Sequence, residues 1–70
     1  MTVESDLRKA MASAQAALGN YSMFAESTQD QSAKQMFQEM AADLRRHINQ
    51  IQSRLDYVTS NNMSSGSQTR

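Results

Sequence analysis

Between Thr28 and Val58 the apolar residues Ala33, Met36, Phe37, Met40, Ala41, Leu44, Ile48, Ile51, Leu55 and Val58 follow one another at steps of three, four or one. Such steps keep them on one side of an α-helix, and no alternation by two competes with that reading. Thr28 and Asp30 can each accept a hydrogen bond from an N–H of the first turn, and Thr28 with Gln31 has the spacing of a capping box. The pattern predicts a helix over about 30–58. Upstream, Val3, Leu7, Ala10, Ala14, Ala17, Tyr21 and Phe24 alternate steps of four and three behind Thr2 as a cap. That spacing is a heptad seam. With Met11, Leu18 and Ala25 alongside, the stripe widens to the face of a bundle helix and exceeds that of a bare two-stranded coiled coil. This predicts a helix over about 3–26.

Glu4 and Asp6 suit the positive end of that first helix. Its alanine-rich middle lets another helix approach closely. Gly19 marks either a tight crossing or a weak point, since glycine costs about 1 kcal/mol relative to alanine within a helix. The polar connection Glu26 to Asp30 is short, and short connections join antiparallel neighbours. The expected fold is therefore all-α, an antiparallel two-helix hairpin over residues 1–58. Its apolar faces are wider than one partner can cover, so two hairpins are expected to pair as a homodimer into a four-helix bundle. The residues expected in the core and the dimer contact are Leu7, Met11, Leu18, Tyr21, Phe24, Phe37, Met40, Leu44, Ile48, Ile51 and Leu55. After Val58 the periodicity ends, and 59–70 reads as a disordered tail of small polar residues.

Composition sharpens the expectation of pairing. A chain of 70 residues buries too little of its surface to be comfortably stable unless something staples it. The absence of cysteine removes disulfides and thiolate metal sites, and one histidine does not make the usual zinc spacings. Association is the staple that is left. Seven basic and seven acidic side chains cancel, so there is no broad positive field for nucleic acid. No apolar run approaches the roughly 20 residues of a membrane span, and the first residues lack the apolar core of a secretion signal. A cytoplasmic protein without membrane insertion is expected.

Candidate chemistry is sparse. Glu39, Asp43 and His47, four residues apart, climb one side of the second helix and offer carboxylate and imidazole ligands to a metal. Di-metal bundles, however, place a glutamate three residues before a histidine, and here Leu44 holds that position. The first helix has no carboxylate between Leu7 and Ala25. The expectation is no metal and no cofactor, with Asp43 paired to Arg46 or His47. No nucleophile accompanies His47, so a catalytic centre is not expected. The methionines read as core filler in preference to an adaptable groove.

The opening MTV, the AQAAL of Ala14 to Leu18 and the TQDQSAKQMF of Thr28 to Phe37 resemble a small family of endospore-forming Firmicutes, domain of unknown function 1657. TQDxxAKQM is the most specific segment, and the likeness extends over about 1–58. The resemblance implies a setting and no activity: some family members are encoded beside SpoVA-type genes, which concern dipicolinic acid, spore resistance and germination. It also implies the forespore or spore as a location and other spore proteins as partners. The end of this chain, from Asp56, lacks the acidic, proline-containing terminus of that family. AADLRRH resembles, more distantly, ferritin-like spore-coat proteins, with Leu44 in place of a metal-binding glutamate. The expected function is a non-enzymatic helical assembly module in a spore-forming bacterium. The rival readings are a degenerate ferritin-like metal-binding bundle and a carrier of a small molecule such as dipicolinate.

Overall fold

The computed structural model describes residues 2–64 as two helices, α1 (Val3–Ser27) and α2 (Gln31–Ser64), packed side by side as an antiparallel hairpin. The start of α1 follows from Thr2, whose extended backbone leaves the helix and whose Oγ1 accepts the Ser5 N–H at 3.0 Å. Glu4 then reaches Arg8 one turn on, at 2.9 Å. An acid preceding a base at this spacing is the favourable order on a helix, contributing a few tenths of a kcal/mol where water screens it.

At its other end α1 stops without glycine. Thr28 turns the chain into an extended conformation, and its N–H closes the last backbone bond on Phe24 O at 3.0 Å. Asp30 caps α2, its Oδ2 accepting the Ala33 N–H at 2.7 Å. Thr28 does not share in a capping box with Gln31. Its Oγ1 accepts the Asp30 N–H at 3.3 Å, which holds the capping aspartate. Three residues, Thr28, Gln29 and Asp30, separate the helices, and the antiparallel turn follows from that brevity.

α2 does not end at Val58 but continues to Ser64. Neither glycine nor proline interrupts residues 59–64, and adding residues to an existing helix is far easier than starting one. The Thr59 hydroxyl lies against the turn below, 2.9 Å from Leu55 O and 3.2 Å from Asp56 O. Residues 65–70 of the expected tail lie outside the described residues. The 34 residues of α2 rise about 1.5 Å each, which accounts for the long axis of 54 Å beside widths of 17 and 13 Å.

The core is thin. Met11, Ala14, Ala25, Ala41 and Leu55 are the buried apolar residues, and no large side chain among the described residues is fully buried. Leu7, Leu18 and Tyr21 on α1, and Phe37, Met40, Leu44, Ile48 and Ile51 on α2, are half-buried. Phe24, expected in the core or the dimer contact, is 42% exposed in the single hairpin. Of the two overlapping stripes on α1, the one through Met11, Leu18 and Ala25 faces α2, while Val3, Ala10 and Phe24 remain exposed. Met11 and Leu18 carry more apolar area than Val3 and Ala10, so turning them inward removes more surface from water. Ala14, Ala25 and Ala41 let the backbones approach closely, as expected of small residues at a helix crossing. Gly19 takes no part in that approach, for a methyl group built there meets nothing within 4 Å.

Candidate functional site

The hairpin has two unlike sides. On α1, Arg8, Gln15 and Ser22 each follow an inward residue, as do Gln38, Arg45 and Gln52 on α2. These residues line two shallow grooves between the helices, one with Ser22, Gln38 and Arg45, the other with Arg8, Gln15 and Gln52. Their rims are polar, and Met11, Ala12, Ala25, Ala41 and Leu55 line them as well. The opposite side carries the residues that precede the inward ones: Val3, Ala10, Ala17 and Phe24 on α1, and Ala33, Met40, His47 and Arg54 on α2. Six of these eight are apolar. Met36, 48% exposed, extends this face, standing three residues after Ala33 and four before Met40.

The face is graded along its length. Near the turn, Tyr21, Phe24 and Phe37 form an aromatic cluster, with Phe24 and Phe37 centroids 5.5 Å apart and Tyr21 stacked on Phe37 at 6.1 Å. Pairs of this kind add about 0.5–1.5 kcal/mol beyond the area they bury. Half of Phe24 remains uncovered by it. Toward the open end the α1 residues shrink to Ala17 and Ala10, and α2 presents His47 and Arg54. The Arg54 guanidinium lies 4.8 Å above the Tyr57 ring.

A hydrogen bond crosses the turn beside the aromatic cluster. Lys34, in the first turn of α2, donates from Nζ to Ala25 O at 2.6 Å. The last turn of α1 has no cation of its own, so Lys34 supplies the positive charge that a helix C-terminus favours. The TQDQSAKQMF segment therefore contains the parts of the connection: Thr28 ends α1 and steadies Asp30, Asp30 starts α2, and Lys34 ties the two. The sequence signals Asp30 as a cap, but it pairs Thr28 with Gln31 and gives no sign of Lys34, whose partner is a carbonyl nine residues earlier that no side-chain spacing marks.

The candidate ligands are not assembled. Glu39, Asp43 and His47 are all exposed, and Asp43 Oδ1 accepts from Arg46 Nη1 at 3.1 Å. Among the described residues no group of three histidine or carboxylate side chains converges as a metal ion requires. No described helix is long and apolar enough to cross a membrane.

Comparison with curated proteins and with solved structures finds no match in either. A family match covers residues 7–55, taking in AQAAL and TQDQSAKQMF and leaving MTV outside. By that match the chain belongs to the family described as a protein of unknown function, DUF1657.

Proposed function

We propose that this protein is a non-enzymatic assembly module, and that its working unit is a four-helix bundle formed when two copies join by the face carrying Ala10, Ala17, Phe24 and Met40. The observation that carries this reading is the two-sidedness of the hairpin. One side between the helices carries arginine, glutamine and serine at the rims of its grooves, while the other leaves Val3, Ala10, Phe24 and Met36 exposed and Ala17, Ala33 and Met40 only partly covered. Monomers rarely leave such strips open. The accessible surface of 4813 Å² also exceeds the roughly 4,400 Å² of a compact monomer of this mass.

The setting we propose, a spore-forming bacterium with a role in spore formation or germination through protein contacts, rests on the resemblance of its TQDQSAKQMF segment. Nothing in the geometry favours the ferritin-like or the carrier reading over pairing.

Light scattering on the purified chain tests the module directly, with twice the 7.8 kDa chain mass expected at micromolar concentration. Ala10→Glu places a charge on a residue already exposed in the single hairpin, so a lone hairpin would tolerate it. In the paired form that charge is buried, and the variant should lose the dimer. Ala16→Glu, also exposed but off the face, should keep it. A wild type of monomer mass, or an Ala10→Glu variant that remains dimeric, contradicts the reading.

A further inference from the structure

We infer that the two copies pair with their turns at opposite ends of the bundle, so that α1 lies antiparallel on the partner's α1 and α2 on the partner's α2. The inference rests on the pairing proposed above and names its geometry. The grooves bring Met11 and Gln15 level with Gln52 and Leu55, and Ser22 and Ala25 level with Gln38 and Ala41. One heptad step carries this register along the hairpin. The residues of the open face therefore fall into three levels: Phe24 with Met40, Ala17 with His47, and Ala10 with Arg54.

Placing both turns at the same end would match each level with itself. Two Phe24 and two Met40 would crowd one layer, and both Arg54 guanidinium groups would share another with two alanines. Interiors pack to uniform density, so an overfilled layer beside an underfilled one is disfavoured twice. Like charges brought to one level add repulsion. Opposite ends remove both conflicts. Each Phe24 then lies over the partner's alanine level, Ala17 meets its own copy near the two-fold axis, and the two Arg54 groups separate to the two ends. Each Arg54 comes beside an exposed Phe24 ring of the other copy, a favourable partner for a guanidinium that already lies over Tyr57.

The α1 strip of Ala10, Ala17 and Phe24 has a bulky end and a small end, and reversed about Ala17 it is its own complement. A surface of that kind is what a two-fold interface requires. Ala17 stands two positions from the midpoint of α1 (Val3–Ser27), about 3 Å along the axis, so this centre also gives the two hairpins nearly complete overlap.

The chain has no cysteine, which makes disulfide trapping clean. Ala17→Cys should form a covalent dimer with itself on mild oxidation. An equimolar mixture of Ala10→Cys and mass-tagged Phe24→Cys chains, allowed to exchange subunits, should form the mixed covalent dimer. A mixture of Phe24→Cys with Met40→Cys should not. Trapping of Phe24→Cys with Met40→Cys, without trapping at Ala17→Cys, would overturn the opposite-end arrangement while leaving the dimer intact. Monomer mass by light scattering in the unoxidised, helical variants would instead overturn the pairing itself. Circular dichroism on each variant identifies any that fail to fold, and Ala17→Cys reports independently of the two mixtures that share Phe24→Cys.

Discussion

Lys34 shows how much one side chain can contribute in a molecule with so little interior. Its ammonium group bonds a carbonyl at the end of α1, and hydrogen bonds of a charged donor are worth about 1.5–3 kcal/mol where partly buried. Lys34→Met keeps most of the stem and removes the donor, so it should destabilise the hairpin by about 1–2 kcal/mol, read from urea unfolding. An unchanged midpoint would mean that the contact contributes nothing in water. The residues proposed for metal differ from Lys34 in having no such engagement beyond the Asp43–Arg46 pair. Titration with iron(II), manganese and zinc should show only weak binding that His47→Ala leaves unaltered. Submicromolar binding abolished by that substitution would favour the ferritin-like reading. At this scale the caps were legible, because Thr2 and Asp30 act on N–H groups three residues ahead. Thr28 was assigned the wrong partner, since threonine two residues before a better cap has two N–H groups within reach.

Both helices were legible from their periodicity, and the antiparallel turn from its brevity. Two features of the elements were not. The apolar residues of α1 admit two overlapping heptad stripes, and which of them faces α2 depends on the facing surface and not on α1 alone. Phe24 therefore falls on the exposed flank of the single hairpin. The continuation of α2 beyond Val58 lacks the three-and-four apolar periodicity, because adding residues to a formed helix does not require it. Gly19 belongs to this scale too. With open space around it, Gly19→Ala adds no clash and removes the glycine penalty, so it should stabilise the fold by about 1 kcal/mol. Loss of stability on thermal unfolding of that variant would show that the position is crowded in the assembled protein.

At the scale of the molecule, the two helices supply a seam with five buried apolar residues among those described, three of them alanine. Fully burying a leucine or methionine contributes about 1.5–3 kcal/mol, while ordering each residue of backbone opposes folding by roughly 1–2 kcal/mol. The half-buried Leu18, Leu44, Ile48 and Ile51 gain only part of their value in the single hairpin. A second copy on the open face would cover Phe24, Met40 and Ala17 and deepen the layer beneath them, which makes folding and pairing one equilibrium. Such an equilibrium depends on protein concentration, whereas the unfolding of an independent hairpin does not. The most direct measurement is the thermal midpoint, followed by helical circular dichroism over a hundredfold range of chain concentration. Coupled folding and pairing require a midpoint that rises steadily with concentration, and a midpoint constant across that range would mean that the hairpin folds alone.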